Sequence, residues 1–173
     1  MDLKFLLLLI TTLLTLIYAA PPDTPAVLDD LSKVGVDLLT LDRAVNSYSD
    51  TPEHTANIEE ASTSLEGHLD QTTQHLQELP TPNAHDSTTL TDAALEMKSP
   101  IKRYLDNVKE KKAIFKAAGF DDDMCLKMQA FQKGAHALAE ALQKKVLVDD
   151  VQKIRGCFEE VNADFDKAIG EFL

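Results

Sequence analysis

His68 and His75 stand two helical turns apart, and Glu78 follows one turn later. Imidazole and carboxylate on one helical face are the groups that hold metal ions in helical bundles, where Glu-x-x-His pairs from two helices combine with further glutamates. Here the order is reversed and no other helix supplies a matching pair, so the expected reading is solvated histidines. Asp121-Asp122-Asp123 brings three carboxylates together. It lacks the alternating oxygen ligands and the glycine of a helix-loop-helix calcium site, and acidic residues at a helix start already follow from the helix dipole. The sequence has no Gly-x-Ser-x-Gly elbow and no glycine loop to cradle a phosphate. The chain is therefore read as a non-enzyme without metal or cofactor.

Charge narrows the partners. The formal net charge is -12 over 173 residues. A chain this acidic is repelled by the phosphates that dominate nucleic-acid binding, so no nucleic-acid partner is expected, and anionic lipid surfaces repel it as well. One basic run, Lys98, Lys102, Arg103, Lys109, Lys111, Lys112 and Lys116, marks the third helix. Its main expected role is to pack beside the acidic first and second helices. A lesser one is for the run to attract the carboxylate of an amphiphile, with Lys102, Arg103 or Lys109 the residues to test.

Residues 1–19 read as a secretory signal peptide. Lys4 precedes an apolar run from Phe5 to Ile17, and small residues, Ala19 and Ala20, come before Pro21-Pro22. Cleavage is expected after Ala19, leaving a domain over 20–173. The run falls short of the ~20 residues of a spanning helix. No Asn-x-Ser/Thr sequon and no hydrophobic tail are present, so a secreted and untethered protein is expected.

The elements follow from apolar residues at alternating spacings of three and four. Val27, Leu31, Val34, Leu38, Leu41, Val45 and Tyr48 form the stripe of a first helix, started by Thr24 and Pro25. Ile58, Ala61, Leu65, Leu69, Leu76 and Leu79 form a second, started by Thr51-Pro52 and ended by Pro80-Thr81-Pro82. A polar loop is expected over 81–88. The third helix carries Leu90, Ala94, Met97, Ile101, Leu105, Val108 and Phe115. It should be kinked or broken at Ser99-Pro100, with Ser99 as a new cap, and closed by Gly119. The fourth begins at Asp121. A fifth has Asp149 and Gln152 as its capping box. The fold class is all-α, a single five-helix antiparallel bundle.

Five long helices enclose a wide interior. Ala61, Ala94 and Ala135 are small residues on the seams, and Ser62 and Thr72 bring hydroxyls beside them. The simpler reading of these residues alone is a fully packed core, its hydroxyls bonded to the preceding turn. The alternative is an apolar cavity for an apolar ligand. Its lining would be Leu38, Leu41, Leu69, Ile101, Leu105, Phe131, Leu138, Phe158 and Phe165, each mid-helix on a seam.

Cys125 and Cys157 would meet an oxidising compartment. A hairpin of the fourth and fifth helices turning near Leu147 separates them by roughly 18 Å along the axis at ~1.5 Å per residue. A disulfide needs Cα atoms within about 7 Å. No intramolecular bridge is expected, which leaves two sheltered thiols or the basis of a homodimer.

Three segments carry a resemblance. They are Ala94-Leu95-Glu96-Met97-Lys98-Ser99-Pro100-Ile101, the stretch from Lys111-Lys112-Ala113-Ile114-Phe115 to Ala118-Gly119-Phe120, and Ala139-Glu140-Ala141-Leu142-Gln143-Lys144-Lys145-Val146. The chain resembles the fungal hydrophobic surface-binding protein A family, which includes cell-wall galactomannoproteins. The resemblance implies a secreted helical bundle, extracellular or associated with the cell wall, that adsorbs to hydrophobic surfaces and in some members captures a fatty acid. The Ser/Thr-rich stalk and anchor tail of wall-attached members are missing, which puts covalent wall attachment in doubt. The combined expectation is a non-enzymatic binder of fatty acids or similar amphiphiles. The alternatives are a surface-active or wall structural protein without a defined pocket, and a secreted effector that engages a host protein.

Overall fold

A computed structural model describes residues 22–173. The expected signal peptide lies outside the described residues. The rest is helix, with no strand among the described residues: α1 (Thr24–Ser47), α2 (Pro52–Glu78), α3 (Ala84–Glu96), α4 (Lys98–Ala118), α5 (Asp121–Lys145) and α6 (Val148–Phe172). α3 and α4 are one helix interrupted at Met97 and bent by 17°, which makes five in all.

The helix ends show which local signals act. Asp23 caps α1 in place of Thr24, its carboxylate accepting the Ala26 N–H at 3.0 Å, with Pro25 in the first turn. Thr51 caps α2 through the His54 N–H, ahead of Pro52. The expected loop over 81–88 is shorter. Asn83 accepts the Asp86 N–H at 2.9 Å and starts α3 at Ala84, so the polar residues after it form a first turn.

The break near Ser99-Pro100 falls two residues earlier than expected. Met97 stays in a right-handed helical conformation, and Ser99 is no cap. Pro100 sits in the first turn of α4, where an N–H has no partner within its own segment, so its missing donor bends the helix without ending it. Gly119 closes α4 with φ 67°, and the Phe120 N–H returns to the Phe115 carbonyl at 2.9 Å. The Asp149–Gln152 capping box does not form, because the N-cap falls two residues earlier, at Leu147, and α6 begins at Val148. The Leu147 N–H is instead taken by Ser87 Oγ of α3 at 2.9 Å.

The expected stripes of α1 and α2 are buried throughout. Each such side chain contributes roughly 1.5–3 kcal/mol by leaving water. Two aromatic clusters pin the interior. Tyr48 lies 4.7 Å from Phe115 and 5.8 Å from Phe120, and Phe131 lies edge-on to Phe165 at 5.1 Å with Tyr104 beside it. Thr72 Oγ1 donates to the His68 carbonyl one turn back at 2.6 Å, whereas the Ser62 hydroxyl is buried without a partner.

α1 packs on α2, α3 and α4, α2 packs on α1 and α5, and α6 packs on α3, α4 and α5. Polar pairs fix the registers. Asp30 meets His75 and Asp37 meets His68 across α1 and α2, each at 2.5 Å. Gln132 donates to Asn162 across α5 and α6. Arg103 and Asn107 of α4 both donate to Asp42 of α1 at 2.7 Å. His68 and His75 are thus half-buried partners of α1 carboxylates and not simply solvated. The basic run does not reach α2. Lys98, Arg103, Lys111 and Lys112 reach α1 or α6, and Lys102 and Lys109 pair along α4, because α4 packs away from α2.

Candidate ligand-binding site

One apolar cavity lies inside the bundle beside the bend at Met97. α1 supplies Val34 and Leu38, and α2 supplies Leu69. The bent helix adds Ala94, Leu95, Met97, Lys98 and Ile101. α5 adds Phe131, Ala135, Leu138, Ala139 and Leu142, and α6 adds Ile154, Cys157, Phe158 and Val161. The space exists because Ala94, Ala135 and Ala139 stand where larger side chains would fill the seam. Its volume is about 60 Å³. Away from Lys98 the lining offers no polar partner, which keeps such a space free of ordered water. A long acyl chain does not fit it without outward movement of a wall.

Leu95, Lys98, Cys157 and Phe158 are half-buried, so the cavity reaches the surface between the bend and α6. A second apolar groove runs on the outside between α1 and α3, past Leu28, Val36, Ala93 and Pro100. It shares Leu38 and Met97 with the cavity, and those two side chains separate the groove from the interior.

Of the nine residues read from the sequence as a lining, the structure brings six together here: Leu38, Leu69, Ile101, Phe131, Leu138 and Phe158. Leu41, Leu105 and Phe165 lie outside it, fully packed in the core. The periodicity puts all nine on a seam, but only the bend at Met97 decides which seam positions border empty space. The alanines Ala94 and Ala135 were legible as small seam residues. Lys98 stands out in the sequence only as one of the basic run, and Cys157 and Ala139 carry no signal in an apolar stripe; that the three border the cavity is visible only with the helices assembled.

Among the described residues of the lining, Lys98 alone is charged. Its ammonium bonds to Glu160 of α6, and that bond holds Lys98 above the usual lysine range against a smaller opposing effect of burial. Lys102, Arg103 and Lys109 of the same basic run are engaged elsewhere. Arg103 is held by Asp42, and Lys102 and Lys109 pair with Asp106 along α4 at 3.5 and 2.7 Å. No cluster of three or more His, Cys, Asp or Glu side chains able to hold a metal exists among the described residues. No described helix is long and apolar enough to cross a membrane.

The sequence from 24 to 144, more than half of the chain, matches the family model for hydrophobic surface binding protein A. The chain belongs to that family. Among solved structures, AfMP4p in complex with palmitic acid is similar to this chain at TM-score 0.85 and 28% identity, over 87% of this chain and 100% of that one. Ligand binding domain 1 of the Penicillium marneffei MP1 protein, complexed with arachidonic acids, matches at TM-score 0.77 and 16% identity, over 84% and 95% of the two chains. Domain 2 of the same protein, complexed with multiple arachidonic acids, matches at 0.76 and 17%, over 83% and 92%. The two MP1 domains share the fold with this family member. A comparison with curated protein sequences finds no match.

Proposed function

We propose that this protein is a secreted, non-enzymatic binder of fatty acids, and that the cavity at the α3–α4 bend is where the acyl chain enters. The observation that carries this reading is the cavity itself. Apart from Lys98 it is apolar on every helix, with room made by Ala94, Ala135 and Ala139. AfMP4p, which this chain resembles over nearly its whole length, was solved with palmitic acid. Leu38, Leu69, Ile101, Phe131, Leu138 and Phe158 would contact the chain, with Leu41, Leu105 and Phe165 behind them. Because the present volume is far below that of an acyl chain, α3 and its hinge at Met97 would swing outward on binding. α3 is short and has the groove beside it.

In this reading residues 1–19 direct export, 20–173 form the mature domain, and the helices make an antiparallel bundle. Support for the last point comes from order along the chain. Ascending positions of α1 (Asp30, Asp37) pair with descending positions of α2 (His75, His68), while α1 and α4 pair in the same order. Native mass spectrometry of secreted protein tests the function. Co-purified fatty acid at one or more per chain is expected, and a protein that stays empty when offered palmitic acid would overturn it.

The small cavity also favours a second reading, adsorption to a hydrophobic surface by opening of the amphipathic helices without a defined pocket. It predicts saturable binding to hydrophobic beads with loss of tertiary signal. The cavity reading predicts retention of that signal.

A further inference from the structure

The lining is apolar apart from one charged side chain, and that side chain stands where the cavity reaches the surface. Lys98 begins α4. Its neighbours Met97 and Ile101 form one wall, and Cys157, Phe158 and Val161 of α6 form the facing one. A lysine in this position lays its methylenes along apolar surface and keeps its ammonium at the wet end. That ammonium bridges to Glu160, which lies on α6 between Cys157 and Val161. The Glu160 side chain is 65% exposed and is free to turn into water.

We propose that Lys98 is the headgroup site for a carboxylate-bearing amphiphile and that Glu160 occupies this site when the cavity is empty. The inference rests on the fatty-acid reading above and adds to it the position of the acid end and the basis of selection. A chain of net charge -12 repels an anionic ligand, so capture needs a local cation. Arg103, Lys102 and Lys109 are tied to Asp42 and Asp106 outside the lining. Lys98 borders the space the acyl chain would fill, and its present partner is itself a carboxylate. Exchanging Glu160 for the ligand's carboxylate keeps the ammonium paired. A neutral headgroup offers no such replacement, so the site selects acids over esters.

The two residues have opposite expected effects, which a general loss of packing would not produce. Affinities for palmitic acid and methyl palmitate are measured by native mass spectrometry for the full secreted chain. Replacing Lys98 by Met should lower the acid-to-ester affinity ratio by roughly two- to fivefold, the scale of one partly exposed charged contact. Glu160→Gln should raise it, because the competing carboxylate is gone. Lys98→Arg should retain a wild-type ratio. If ester and acid both bind and neither Lys98→Met nor Glu160→Gln moves the ratio, the headgroup assignment is wrong while the cavity reading stands. If the wild-type chain binds neither ligand, the cavity reading fails and this one with it. Should Lys98→Met not fold, the exposed Glu160→Gln change decides alone: a rise supports the site and no rise overturns it.

Discussion

Ser87 and Asp150 meet at 2.7 Å in the interior, joining the start of α3 to the start of α6. The Ser87 hydroxyl donates to the buried carboxylate and also accepts the Leu147 N–H at 2.9 Å, so one buried side chain serves two groups. Lys153 first, then Ser87, holds the Asp150 carboxyl below the usual carboxylate range. Because α3 forms one wall of the cavity, this contact anchors the wall that has to move. Ser87→Ala leaves Leu147 without its acceptor and Asp150 short of a donor. It should cost about 1–3 kcal/mol in urea denaturation, and amide exchange should rise in α3 before the other helices.

A second polar tie, between α1 and α2, should set the acid limb of stability. Burial raises the Asp30 carboxyl, but hydrogen bonds from His75 and Lys33 outweigh it, and the net position is below the usual value. A depressed carboxyl stabilises the fold above its unfolded pKa, near 4, and that contribution is lost as the pH falls through the lower folded value. Asp30→Asn should therefore remove about 1 kcal/mol near pH 6. It should also flatten the fall in stability below about pH 4. Denaturation curves from pH 2 to 7 that keep the wild-type slope would argue against the pair.

Filling the cavity separates room for a ligand from room needed for packing. Ala135→Leu should be accepted at little cost, because its added carbons enter a space of about 60 Å³. Ala135→Phe should overpack and cost about 1–3 kcal/mol. Both should abolish retention of palmitic acid, measured by native mass spectrometry beside thermal melting. A folded Ala135→Phe protein that still carries fatty acid would show that the chain lies elsewhere.

The fold was legible because helix physics is local. The stripes of α1 and α2, the Thr51-Pro52 start and the Gly119 stop each depend on a few adjacent residues, and the structure keeps them. The two larger errors share one cause, a partner distant in sequence; the others, such as the cap at Asp23 in place of Thr24, are shifts of a residue or two at helix ends. Leu147 is capped by Ser87, sixty positions away, which no reading of Asp149 and Gln152 could reveal. His68 and His75 look like solvated groups until α1 brings Asp37 and Asp30 against them. The site was legible to the same degree. Periodicity identifies seam residues such as Phe131 and Phe165 equally, but only the assembled bend at Met97 puts the first against empty space and the second in packed core.

A glycine between α2 and α5 offers a test that joins stability to binding. A methyl group at Gly134 would lie 3.0 Å from Leu69 Cδ1, the end of a flexible side chain that borders the cavity. Leu69 can yield inward. Gly134→Ala should then gain up to about 1 kcal/mol from helix propensity, while Leu69 takes space from the ligand. The expected result is a higher melting temperature together with weaker binding of palmitic acid. A destabilised variant would mean that Leu69 has no room to move and that the cavity is tighter than its volume suggests.

Cys157 provides a native reporter of occupancy. It is half-buried and borders the cavity, whereas Cys125 is buried, and both are free thiols. Burial pushes both upward in pKa. The Lys98 ammonium opposes this in part at Cys157, and Asp122 adds to it at Cys125. Only the thiolate reacts, so alkylation by iodoacetamide should be slow at neutral pH, quicken as the pH rises, and mark Cys157 before Cys125. Peptide mapping after timed exposure reads the two sites separately. Bound palmitic acid should slow modification of Cys157 several-fold and leave the rate at Cys125 unchanged. An equal rate with and without the fatty acid would place the chain outside this cavity. Denatured, unreduced monomer should yield both thiols. Finding neither would require Cys125 and Cys157 to be bridged, and the α5–α6 register, set by Gln132 against Asn162 and by the His136 ring 5.3 Å from that of Phe158, would have to be wrong.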